Sequence, residues 1–204
     1  EDGGPAISIW NAKSMFDAAR VLGSAVRHIQ QRDGEALARS GVEFNCSMLF
    51  GGQIAGEGVR LFQVYSAGNF IEATAETPYF QIGESKYGKP VLDRVLTPAT
   101  PLAEAAKCAL VSMDSTLKSN LSVGLPLDLV VYDTNALCCE QIACIDENND
   151  YFRMVHSVWG GKLREAFDSI DDPRWGQGRG PMSIQPGDST ARPIKKITDP
   201  QVML

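Results

Sequence analysis

Histidine is scarce in this 204-residue chain, with only two, and none of its five cysteines forms a CxxC pair. No threonine precedes Thr74, and no GxSxG elbow occurs. The paired spacings of zinc ribbons and thioredoxin-like redox sites are therefore missing. A Ser-His-Asp hydrolase of the elbow type has no visible nucleophile. No apolar run approaches the ~20 residues that span a bilayer, so no membrane segment is expected. A basic excess is missing too. Nineteen Lys and Arg face 25 Asp and Glu, for a formal charge of −6 and a pI near 5.0, which argues against a nucleic-acid partner. The opening EDGGPAISIW has no basic stretch leading into an apolar one, so no signal peptide is visible. With the cysteines (Cys46, Cys108, Cys138, Cys139, Cys144) placed in apolar patterns as small hydrophobes, a reduced, cytoplasmic protein is expected.

What is present is a 44% hydrophobic, 22% charged chain of ordinary globular composition. Ser14 with Asp17 approximates a capping box, and Ala18, Leu22, Ala25, Val26 and Ile29 recur at helical spacing until Gly34. Four strands are predicted next: Glu43–Phe50, Arg60–Tyr65, one around NFIEAT, and Tyr79–Gly83, an antiparallel meander with glycine-rich corners. Lys89–Leu96 suits a short helix. Thr100-Pro101 reads as cap and first helical residue of a longer one, with Leu102, Ala105, Ala106, Ala109, Leu110, Met113 and Leu117 as its buried stripe. Strands at Leu127–Asp133 and Leu137–Ile145 and a helix from Trp159 to Ile170 complete an α+β order. Five of the eleven prolines fall after residue 170. The expected organisation is one domain over 1–170 and an extended arm over 171–204.

Several stretches suggest chemistry. In IGESKYGKP, Gly83, Gly88 and Lys89 fit a GxxxxGK phosphate loop, but Pro90 stands where the Mg²⁺-binding hydroxyl belongs. The better reading is a tight strand-to-helix corner. DENND begins like a calcium loop, yet Tyr151 and Ser157 occupy the positions of the glycine and the glutamate, which leaves a polar turn. Cys138, Cys139 and Cys144 read as packing, since adjacent strand residues point to opposite faces. His28 reads as a partly exposed helical residue. No cofactor or metal is expected. SNLSVGLPLD, Ser119 to Asp128, is the most informative polar stretch; its local reading is a helix end with side-chain hydrogen bonds.

Larger segments carry a resemblance. SMFDAAR, FNCSMLFGGQIAGEG, AGNFIEATAETPYFQIGESKYGKPVLDR and SNLSVGLPLDLVVYD resemble the bacterial proteasome-like group called Anbu, of the proteasome β type. The resemblance runs from about Ser14 to about Ile170. It implies a four-layer αββα sandwich of the N-terminal nucleophile hydrolase type with antiparallel sheets. It also implies self-association into a ring or spiral and hydrolysis of peptide bonds in peptide or unfolded-protein substrates. Those enzymes attack with an amino-terminal threonine whose α-amino group acts as base.

Here position 1 is Glu1. The resemblance therefore implies that the nucleophile, its lysine and the oxyanion-hole glycine lie outside these 204 residues. Either the sequence is part of a longer polypeptide, or the subunit is a non-cleaving scaffold of the same fold. What carries over is a supporting shell. Ser85, in the Gly83-Glu84-Ser85 corner, matches a serine of the glycine-rich turn. Ser122 matches the serine of a D-x-x-S pattern after the long helix, which puts Ser119 at the aspartate position; a shift by one residue would use Asn120 instead.

Overall fold

The structure, a computed structural model, describes residues 8–139, 141–172, 174–175 and 183–184. Helix α1 (Met15–Arg39) starts where the sequence predicts. Ser14 Oγ accepts from the Asp17 amide at 3.0 Å and donates to Asp17 Oδ2 at 2.9 Å, and Glu57 Oε2 takes the Met15 amide at 3.2 Å. It does not stop at Gly34. One interior glycine costs about 1 kcal/mol, which the flanking Glu35, Ala36, Leu37 and Ala38 tolerate. The stop comes at Gly41, whose φ of +72° lets its amide reach Ala38 O while the Val42 amide reaches Leu37 O.

The first half of α1 covers one face of a three-stranded antiparallel sheet, β1 (Met48–Gly52), β2 (Arg60–Val64) and β3 (Phe70–Glu72), in the order β1-β2-β3. Alternation in RLFQV turns Phe62 and Val64 to the helix, where both are fully buried. Phe62 packs with Met15 and Ala19, and has Phe50 and Phe70 at centroid distances of 6.4 and 5.8 Å. Helix and sheet approach so closely that a Cβ on Gly23 would lie 2.2 Å from the Gly68 carbonyl oxygen. Arg27 Nη1 donates to that same oxygen at 2.7 Å. The opposite face of the sheet presents Leu49, Leu61 and Ile71.

Residues 79–83, expected as a fourth strand, form no ladder. A tight turn in which Thr74 and Thr77 exchange backbone hydrogen bonds leads the chain off the edge of β3, and Pro78 brings no amide donor. The first strand is also shorter than expected, starting at Met48.

Helices α2 (Lys89–Val95) and α3 (Leu102–Ser119) follow, then β4 (Leu127–Val131) antiparallel to β5 (Gln141–Ile145), and α4 (Asp150–Asp168). Pro101 takes the cap position of α3. Thr100, expected there, accepts from the Thr97 amide instead. The buried residues of α3 are Cys108, Leu110, Ser112, Asp114 and Thr116, whereas Leu102 of the expected stripe is exposed. The reason is that α3 is contacted on two sides. Leu110 and Leu117 join Ile145, Phe152, Leu127 and Leu129 in a second core, while Gly88 at the start of α2 presses on Ser112 and Thr116. The DENND turn proves to be a helix cap. Asn149 Oδ1 accepts from the Phe152 amide at 2.9 Å, so α4 begins nine residues before the predicted Trp159.

Two compact units, 1–159 and 160–204, divide the chain within α4. The first holds both cores. In the second, Lys162–Glu165 and Arg164–Asp168 pair along the helix, and β6 (Arg174–Trp175) runs parallel to β7 (Ser183–Ile184). Most of the predicted arm, 171–204, lies outside the described residues. Among the described residues, no helix is long and apolar enough to cross a membrane.

Candidate functional site

Ser85 occupies the corner that joins residues 79–83 to α2. Gly83 adopts φ +73°, the left-handed conformation that glycine tolerates, and its carbonyl accepts from the Ser85 amide at 3.0 Å. The Ser85 carbonyl then accepts from the Lys89 amide at 3.1 Å. The side chain is half-buried on the wall of a cavity of about 460 Å³ that Gln63, Ile71, Tyr79, Gln81 and Lys89 also line. Gln81 Oε1 is buried there without a hydrogen-bond partner, an unsatisfied acceptor beside the corner.

Lys89 does not form a phosphate cradle. Its Nζ donates to Asp93 Oδ1 at 2.7 Å and to Tyr79 Oη at 3.0 Å, and Tyr79 Oη donates to the same Asp93 oxygen at 2.5 Å. The Asp93 bond, then the Tyr79 bond, hold the ammonium above its usual range, and Lys89 in turn holds the Asp93 carboxyl below its own. Gly88 is explained by packing. A Cβ there would lie 2.1 Å from Ser112 Oγ and 2.8 Å from the Ser112 carbonyl oxygen.

The second candidate group sits at the end of α3. Ser119 is the last helical residue and is exposed. Asn120 caps the helix, its amide bonded to Thr116 O at 2.9 Å, and its Oδ1 accepts from both the amide and the hydroxyl of Ser122, each at 2.8 Å. The structure thus brings Ser122 to Asn120. The cavity beside Ser85 is lined by neither Ser119 nor Ser122.

Other chemistry recedes. Cys138, Cys139 and Cys144 are exposed, not packed as expected. The first two precede β5, and Cys144 lies on the sheet face away from the helices. Burial pushes the Cys108 thiol up; desolvation followed by Asp128, directly across the ladder, does the same at Cys144, so neither is primed as a thiolate. Among the described residues no three His, Cys, Asp or Glu side chains converge as metal ligands would. One polar pair was missed in the sequence. His156 Nδ1 lies 2.6 Å from Oδ1 of the buried Asp114, joining α4 to α3. An aspartate among helix-stripe alanines and leucines was its only signal.

Helices packed on sheets of antiparallel strands define a mixed α and antiparallel-β fold, and known structures specify which kind. An Anbu structure from Hyphomicrobium sp. strain MC1 is 46% identical, covering 84% of this chain and 70% of that chain with a TM-score of 0.75. Anbu, described as an ancestral beta-subunit, from Yersinia bercovieri is 51% identical over 85% of this chain and 71% of that one, with a TM-score of 0.76. The helical assembly of the Anbu complex from Pseudomonas aeruginosa matches at 43% identity, covering 85% and 70%, with a TM-score of 0.75. The chain belongs to the Anbu family. No protein-family model and no curated protein matches it.

Proposed function

We propose that this chain is a subunit of a self-assembling, proteasome-like threonine peptidase that cleaves peptide bonds in peptides or unfolded proteins. The observation that carries this reading is identity of 43–51% to Anbu structures over about 85% of the chain. Self-association follows from the helical assembly of the Pseudomonas relative. The four-layer sandwich is supported by the sheet faces. Leu49, Leu61 and Ile71 on the first sheet, and Val130 and Ile142 on the second, lie opposite the helix-covered sides, as inner layers require. Five cysteines without a CxxC pair and the lack of a basic excess in the sequence fit a cytoplasmic particle without nucleic acid.

In this reading the attacking threonine comes from the part of the family's chain that these 204 residues do not span. Its α-amino group takes the hydroxyl proton as the oxygen attacks the peptide carbonyl. The resulting ammonium returns that proton to the departing amine, and water then hydrolyses the ester. Ser85, Ser119 and Ser122 are the supporting shell, holding the amino group and the water by hydrogen bonds. Asn120 competes with Ser119 for that role, because it is the residue that holds Ser122.

The test is the intact mass and N-terminal sequence of the natural polypeptide, with labelling by a threonine-directed epoxyketone. A mature amino-terminal threonine that takes the label supports the reading. Assembled particles that start otherwise and stay unlabelled overturn it in favour of a non-cleaving scaffold.

A further inference from the structure

We infer that Lys89 is a positioning residue for Ser85, and this rests on the threonine-peptidase reading above. Residues 79–83 form no ladder, so no sheet holds the entry to the Ser85 corner in place. What ties that entry to α2 is the Lys89–Asp93–Tyr79 cluster. One ammonium is bonded at 2.7 Å to a carboxylate one helical turn along and at 3.0 Å to the phenol at the start of the segment, with the cation 5.2 Å from the centre of the same ring. The Lys89 amide meanwhile holds the Ser85 carbonyl at 3.1 Å.

Lys89 thus grips the corner at both ends, through its side chain at Tyr79 and its backbone at Ser85. The exit is fixed as well, since Gly88 is pressed against the buried Ser112 of α3. Lys89 and Asp93 are about half exposed, so their pairing adds little to global stability. Its consequence is local. It sets where the Ser85 hydroxyl lies on the cavity wall, and a displacement of about 1 Å at such a group costs up to about 100-fold in rate. The GK pair that resembles a phosphate loop is a clamp on the corner.

The experiment uses the full-length protein with Lys89→Met, Ser85→Ala and the double variant. Peptide hydrolysis is followed as kcat and KM separately, and hydrogen exchange is measured at residues 79–89. Lys89→Met is expected to lower kcat roughly 10- to 100-fold with KM nearly unchanged. The double variant should be no slower than Ser85→Ala alone, because Lys89 acts through Ser85. Exchange at the Ser85 and Lys89 amides should quicken while the unfolding midpoint stays put. Losses that multiply in the double variant, an unchanged kcat, or unchanged exchange each overturn the assignment. If the wild-type protein cleaves nothing, the peptidase reading fails by itself, and the exchange measurement still decides whether Lys89 holds the corner.

Discussion

Gln53 and Asn135, 82 residues apart, exchange two hydrogen bonds through one side-chain amide. Gln53 Nε2 donates to Asn135 Oδ1 at 2.8 Å, and Gln53 Oε1 accepts from the Asn135 amide at 2.7 Å. The same amide also donates to Glu57 O at 2.7 Å and accepts from Tyr132 Oη at 3.1 Å. All four of its hydrogen-bonding positions are filled, and the corner after β1 is tied to the connection between β4 and β5.

Gln53→Leu removes those four bonds at a half-buried site and should destabilise the fold by about 1–3 kcal/mol, read as a lowered midpoint in urea. Asn135 has φ +68°, so Asn135→Gly keeps the backbone bond and suits the conformation, whereas Asn135→Ala strains it. Glycine should be the milder of the two. An alanine variant as stable as the glycine one would refute the assignment.

At Gly88 the backbone angle is ordinary, φ −92°, so the constraint is purely steric. Gly88→Ala should cost about 1–3 kcal/mol by overpacking against Ser112. Adding Ser112→Gly removes the hydroxyl contact but leaves the carbonyl oxygen in the way. Recovery in the double variant should therefore be partial when both are compared by chemical denaturation.

Arg60 grips Glu72 through Nε and Nη2, each at 2.6 Å, and this hydrogen bonding holds the Glu72 carboxyl below its usual range. The native state therefore binds fewer protons at this site than the unfolded chain. The stabilisation is fully present above the ordinary glutamate pKa and is lost as pH falls through the lowered native value. Glu72→Gln should flatten the acid limb of a stability–pH curve and remove stability at neutral pH. An unchanged acid limb would count against the pair.

His156 is the partner that the buried Asp114 shows. His156→Ala should destabilise by about 1–3 kcal/mol, because it leaves a desolvated carboxylate without its hydrogen bond. His156→Gln, which can still donate, should recover part of that loss. Thermal melts at pH 7 would separate the two.

The sequence by itself determined what a few neighbouring residues encode. The cap at Ser14, the inward turn of Phe62 and Val64, the start of α2 around Pro90 and the order of most elements were legible because hydrogen bonds and side-chain alternation there are local. The Anbu resemblance was legible as well, in stretches such as FNCSMLFGGQIAGEG. Only the tertiary structure decided the rest. Residues 79–83 read as a strand, but a ladder needs the segment to lie along a neighbouring edge, and the Thr74–Thr77 turn carries it away from the open edge of β3. The buried face of α3 depends on what presses on it from two sides, so its polar Ser112, Asp114 and Thr116 are inside while Leu102 is not. The use of Lys89 to hold Tyr79 and Asp93 beside Ser85 depends on side-chain directions that spacing alone leaves open, whereas the bonding of Ser122 to Asn120 is the local helix-end arrangement that the sequence suggests.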